Sequence, residues 1–124
     1  MGTDLIEVGT FHEEFNNVLG TQNPLLPICA SIAGLRAHMI KHCHFDCLQH
    51  LEHIAEFIAS PDYIGTNPNE SGVSFECVKV IDKNIQIGIK LEPSGEYYYV
   101  ASMYSVPASK IQRRLHGGRL KKYS

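Results

Sequence analysis

The sequence predicts an α+β fold: helices in the first half, an antiparallel sheet in the second, and a short basic helix near the C-terminus. Three observations carry this. Residues 31–59 place apolar side chains at helical spacing in two successive stretches. Residues 84–91, NIQIGIKL, alternate strictly between apolar and small or polar side chains. Between them and the β-prone run YYYVASMYSV, 97–106, lies EPSGE, whose Pro and Gly suit a hairpin loop.

The elements follow in order. Residues 4–8 read as a short extended piece. Thr10 opens a helix, with Glu13 three positions on as in a capping box, and Gly20 closes it. Pro24 and Pro27 bracket an extended apolar segment running into Cys29. A helix from about Ser31 to Cys43 carries Ile32, Leu35, Met39, Ile40 and Cys43 on one face. A second, from about Asp46 as cap to Ala59, carries Cys47, Leu48, Leu51, Ile54, Ala55 and Ile58. Pro61 ends it by disfavouring helix in the residue before it.

GTNPNESG, 65–72, is a polar loop, and 73–81 a first strand of the meander. The loop 92–96 sets Ile89 opposite Tyr99 and Ile85 opposite Met103. That register turns Tyr97 and Tyr99 inward and leaves Tyr98 and Tyr104 outward, with Lys90, Ser102 and Tyr104 sharing the outer face. Pro107 starts the last helix, with Ile111 and Leu115 inward and Gly117-Gly118 at its end. Helices followed by a meander are expected to pack on one sheet face.

The totals bound what the chain can be. With 124 residues, 44% of them hydrophobic, it is expected to form one domain over 1–124 with a real core. No window approaches the roughly 18 uninterrupted apolar residues of a membrane span. Residues 1–19 hold acids and no base, unlike a secretory signal, so a cytoplasmic location is expected. Cys29, Cys43, Cys47 and Cys77 read as reduced packing residues. Net charge is −2, but residues 1–108 sum to −8 and the remainder to +6. The basic end consists of Lys110, Arg113, Arg114, Arg119, Lys121 and Lys122. Such asymmetry suits a polyanion partner, and equally a solubilising tail.

Five of seven histidines fall between His38 and His53. His38 and His42 are four apart, hence stacked on one helix side, at the border of the apolar stripe. Imidazole suits general acid–base work near neutral pH; the same pattern also describes two partly exposed helix-edge histidines. With Cys43, Cys47 and His50 they offer zinc ligands, making a zinc-stabilised structural domain an alternative. The spacing matches no standard zinc motif, since Met39 stands where a zinc protease helix has glutamate. There is no Gly-rich phosphate loop and no nucleophile elbow, so no cofactor is expected.

The stretches RAHMIKHC, ASPDYIG, SFECVKV, NIQIGIKL and YYYVASMYSV, then the basic SKIQRRLHGGRLKKY, occur in an order that resembles the phage-encoded nuclease-like domains of the barnase–EndoU–colicin–RelE group, the BECR fold. The resemblance covers about residues 31–123. It implies a two-helix unit on a four-stranded antiparallel sheet and RNA as substrate. The implied chemistry needs no metal: the 2′-hydroxyl attacks the neighbouring phosphodiester and leaves a 2′,3′-cyclic phosphate. On that reading His38 or His42 is base or acid, Lys90, Lys110 and Arg113 hold phosphate, and Ser102 and Tyr104 donate hydrogen bonds. Arg114, Arg119, Lys121 and Lys122 extend the nucleic-acid-binding surface. A phage accessory or toxin-like role follows, with a protein inhibitor or immunity partner compatible and no membrane partner. The alternative is a non-catalytic module of the same fold that binds protein or nucleic acid. Ser102 stands where threonine is more often expected, and His44 adds a third imidazole beside the pair.

Overall fold

A computed structural model describes residues 5–123. The strands are β1 (Leu5–Thr10), β2 (Pro27–Ser31), β3 (Tyr63–Gly65), β4 (Ser74–Val80), β5 (Asn84–Leu91), β6 (Tyr98–Val106) and β7 (Leu120–Lys122). The helices are α1 (Glu13–Leu19), α2 (Ile32–Lys41), α3 (Ile54–Ala59) and α4 (Ala108–His116), with a 3-10 helix, Phe45–His53, running into α3. Among the described residues the strands form one seven-stranded sheet in the order β1-β2-β6-β5-β4-β3-β7. Among the described residues only the β2–β6 contact is parallel. The expected α+β class holds; the expected four strands become seven. The short strands β1, β2, β3 and β7 pair over long sequence distances that local periodicity does not encode.

The inner face of the sheet carries the main core. Ile85, Ile87 and Ile89 of β5 are buried there, as their alternation predicted, with Phe75, Cys77, Tyr98, Val100 and Met103 from the neighbouring strands. Phe11 sits among Phe15, Phe75 and Tyr98 with ring centroids 5.0 to 5.3 Å away. Leu35 and Met39 of α2, Cys47 and Leu51 of the 3-10 helix, and Ile54, Phe57 and Ile58 of α3 close over this face. The outer face holds a smaller cluster of Val78, Val106, Ile111 and Leu120 beneath α4. The expectation that all helices lie on one face is therefore corrected. Outward Val78 and Val106 give Ile111 something apolar to cover.

Several local expectations change. Thr10 ends β1 rather than capping a helix; α1 starts after His12, which makes no side-chain cap bond. Gly20 closes α1 at φ 73 as expected. Ser31 caps α2 by accepting a bond from Gly34 N. Ile40 is 48% exposed and Cys43 is exposed at φ 59, so neither extends the apolar stripe. The helix expected over 46–59 opens as 3-10, and Asp46 does not cap it; its carboxylate accepts the Ser105 hydroxyl at 2.7 Å. Gly65, assigned to the loop, belongs to β3. The four cysteines are free, Cys47 and Cys77 buried, and burial pushes the Cys47 thiol up to about 11.

The β5–β6 register differs by one residue at the hairpin end, where Ile89 faces Val100 and Lys90 faces Tyr99. Tyr98 is consequently buried and Tyr99 turns outward, the reverse of the expectation. A bulge at Ala101 then shifts the register once more, so that Gly88 faces Ser102, Gln86 faces Tyr104 and Ile87 faces Met103. The second shift restores the parity. Lys90, Ser102 and Tyr104 do share the outer face.

Candidate active site

The outer sheet face beside α4 forms a cleft. Its lining includes Glu76 of β4, Gln86, Gly88 and Lys90 of β5, Ser102 and Tyr104 of β6, and Asn67 and Glu70 of the loop after β3. Glu76, Gly88 and Ser102 form one row across three adjacent strands. Glu76 and Ser102 are thus two strand spacings apart, roughly 10 Å, with only a glycine between them. A Cβ at Gly88 would lie 2.7 Å from Ser102 Oγ, so the hydroxyl occupies space a side chain would need.

Two arginines of the basic end turn into this face rather than into solvent. Arg119 donates from Nε at 2.8 Å and from a terminal nitrogen at 3.0 Å to the two carboxylate oxygens of Glu76. This is the fork geometry guanidinium makes with carboxylate. Glu76 is 4% exposed, and its hydrogen bond and charge hold the Arg119 pKa above the ordinary value. Arg114 of α4 donates to Gln86 Oε1, and Gln86 Nε2 donates to Tyr104 Oη at 2.7 Å. Lys90 Nζ stands 3.2 Å from Glu70 at the rim.

Arg119 reaches Glu76 because β7 packs against β3. Its own carbonyl lies where a side chain on Gly65 would go: an added Cβ would sit 1.8 Å from that oxygen. Thr66 N donates to the same carbonyl at 3.2 Å. The Gly65 of the PDYIG turn is therefore what lets the last strand dock and deliver its arginine.

The histidines approach from the sheet edge. β2 pairs with β6 only at Tyr98 and Tyr99, and α2 packs against β6. The rings of His38 and His42 lie 4.4 Å apart, His42 and His44 6.1 Å, and His44 stacks on Tyr104 at 5.5 Å. His38 and His42 thus connect to the cleft through His44 rather than lining it. Burial, then the neighbouring His42, His44 and Lys41, lowers the His38 pKa below the ordinary imidazole value.

Of the residues expected from sequence, Lys90, Ser102, Tyr104, Arg114 and Arg119 come together here. Lys110, Arg113, Lys121 and Lys122 are exposed on α4 and β7, outside the cleft lining. Sequence reasoning missed Glu76, Gln86 and His44 as site members. An acid flanked by Phe75 and Cys77 in the strand SFECVKV was the available signal for Glu76. No group of three or more His, Cys, Asp or Glu side chains among the described residues is placed to hold a metal ion, so Cys43, Cys47, His38, His42 and His50 do not form the zinc set considered above. No helix among the described residues is long and apolar enough to cross a membrane.

Searches among curated proteins and solved structures gave no match. A family model described as PBECR3, phage-Barnase-EndoU-ColicinE5/D-RelE like nuclease 3, matches residues 6–113. That span contains the His38, His42 and His44 cluster and the cleft residues from Asn67 to Tyr104, with Arg114 and Arg119 just beyond its end. The match covers most of the sequence, and the chain belongs to this phage-Barnase-EndoU-ColicinE5/D-RelE like nuclease 3 family.

Proposed function

We propose that this chain is a cytoplasmic phage accessory or toxin-like ribonuclease that cleaves RNA through its 2′-hydroxyl, using only its own side chains. The observation that supports this best is the convergence of Glu76–Arg119, Arg114–Gln86–Tyr104, Ser102 and Lys90 around Gly88 on one open sheet face. Such a set offers a carboxylate base and several donors for a phosphorane, whose charge grows as the reaction proceeds.

In this mechanism the Glu76 carboxylate takes the 2′-hydroxyl proton, and the 2′-oxygen bonds to phosphorus. Arg119, Arg114, Lys90 and the Ser102 and Tyr104 hydroxyls stabilise the phosphorane oxygens. The bond from phosphorus to the 5′-oxygen then breaks, and the protonated ring of His44, beside Tyr104, gives its proton to the leaving oxygen and is left as neutral imidazole. His42 stacks behind His44 and orients it, with the His38 ring tilted against His42. This moves the acid role from His38 or His42 to His44. The exposed Lys110, Arg113, Lys121 and Lys122 attract the flanking phosphates without touching the cleft.

Incubation with total RNA in excess EDTA tests the reading. The protein should cut RNA, and His44→Ala should slow it by roughly a hundredfold with an unchanged melting temperature. His38→Ala and His42→Ala should have smaller effects. A folded protein that cuts no RNA with or without added metal would leave the non-catalytic binding module as the better reading.

A further inference from the structure

The direction of one hydrogen-bond chain can be deduced from the chemistry of its members. Gln86 is 2% exposed and makes two side-chain bonds, one to Arg114 and one to Tyr104. The two ends of an amide are alike in shape and are assigned by their partners. Here the assignment is forced: guanidinium only donates, so the end facing Arg114 is the oxygen. The end facing Tyr104 is then the nitrogen, and an N–H can only donate. The phenolic oxygen therefore accepts, and its own hydrogen points away from Gln86. Tyr104 lines the cleft, and His44 stacks on its ring face, fixing the ring plane.

We propose that Gln86, locked by Arg114, holds the Tyr104 hydroxyl as a hydrogen-bond donor directed into the cleft, and is thereby a positioning residue for a bound phosphate. The phosphate part rests on the ribonuclease reading above. Arg114 lies on α4, so the docking of that helix sets the polarity of a bond made on the sheet. Without Arg114 the amide could turn over, and Tyr104 would present a lone pair to an anion instead of a proton. A donor to an anionic oxygen is worth about twice a neutral one, so the orientation of a single amide decides whether Tyr104 attracts or repels its ligand.

The substitution Gln86→Glu tests this at nearly constant shape. The introduced carboxylate still accepts from Arg114 but cannot donate, so the Tyr104 O–H turns toward it and away from the cleft. Inorganic phosphate binding is measured by calorimetry for wild type, Gln86→Glu, Tyr104→Phe and the double variant. Added negative charge weakens binding by itself, and the Tyr104→Phe background isolates that part. With Tyr104 present, Gln86→Glu should weaken binding by about tenfold or more beyond its effect in the Tyr104→Phe background, as expected for one charge-assisted hydrogen bond. Equal losses in both backgrounds would overturn the proposal.

The Tyr104 ¹³Cζ resonance, assigned by its disappearance in Tyr104→Phe, should move downfield in Gln86→Glu as the hydroxyl donates to a carboxylate. An unmoved resonance would also overturn it. If Gln86→Glu fails to fold, Tyr104→Phe alone decides: a variant that binds phosphate as tightly as wild type refutes the donor role. None of these measurements needs RNA cleavage. A wild type that cuts no RNA would sink the ribonuclease reading while these results still judge the position of Tyr104.

Discussion

Gly65→Ala places the smallest possible strain on the site from outside it. The added carbon would start 1.8 Å from the Arg119 carbonyl oxygen and 2.8 Å from its carbon. Ordinary van der Waals contact needs more than 3 Å, so β3 and β7 must separate by over an ångström. Both obstructing atoms are backbone, and no rotamer change relieves them. Three residue pairs join these strands, Tyr63↔Lys122, Ile64↔Lys121 and Gly65↔Leu120, and the strain falls on the end nearest Arg119. Overpacking of this kind costs about 1–3 kcal/mol. The Arg119 fork on Glu76, at 2.8 and 3.0 Å, has no slack for such a shift. A displacement near 1 Å at a reacting centre costs roughly a hundredfold in rate. Urea unfolding and RNA cleavage measured on the same preparation should show a protein destabilised by that amount, folded at 25 °C, and about a hundredfold slower. In an Arg119→Ala background the same glycine substitution should lower stability but barely change the remaining rate. A Gly65→Ala protein with wild-type unfolding midpoint and wild-type activity would refute the reasoning.

Glu76→Gln should lower turnover by roughly a hundredfold or more, as expected when a general base is lost, and should cost about 1–3 kcal/mol for leaving Arg119 unpaired; full activity in the folded variant would remove Glu76 from the mechanism. Replacing Lys110, Arg113, Lys121 and Lys122 together with glutamine should reduce the log–log salt slope of RNA binding by about 3, at roughly 0.7 per charge for single strands, while leaving phosphate binding in the cleft intact. The lowered pKa of His38 means that the unfolded chain takes up its proton first as pH falls. Its contribution is absent at alkaline pH, turns destabilising as pH drops below the ordinary histidine value, and levels off below the folded-state value. His38→Gln should therefore melt progressively closer to, or above, wild type on acidification from pH 8 to 5; a constant difference across that range would contradict the clustering.

What the sequence made legible was local. The alternation of Ile85, Ile87 and Ile89 identified β5 and its buried face, and the same parity set Lys90, Ser102 and Tyr104 outside. That grouping survived a wrong register only because the hairpin slip and the Ala101 bulge each contribute one residue, and two shifts preserve parity. Tyr98 and Tyr99, lying before the bulge, felt one shift and were inverted. Long-range features were not legible. Nothing in LKK announces a strand that must find Gly65 across more than fifty residues of chain. Nothing in IQRRL says that α4 will cover the face opposite the other helices. In the basic end Lys110 and Arg113 were expected to hold phosphate, whereas the two of its six cations anchored at the cleft are Arg114, on Gln86, and Arg119, on Glu76. The histidine pair was seen, but its distance from the cleft, and the intermediate place of His44, depend on how α2 packs against β6.

The central claim is that this sheet face cleaves RNA by internal attack of the 2′-hydroxyl. The measurement that tests it most directly compares two oligonucleotides in EDTA, identical except for a single 2′-deoxy nucleotide at the preferred cut site, with the product end followed by ³¹P NMR. The account predicts a 2′,3′-cyclic phosphate from the all-ribose strand and no cut at the deoxy position. Cleavage at the deoxy position, or a linear phosphate formed without a cyclic intermediate, would contradict it.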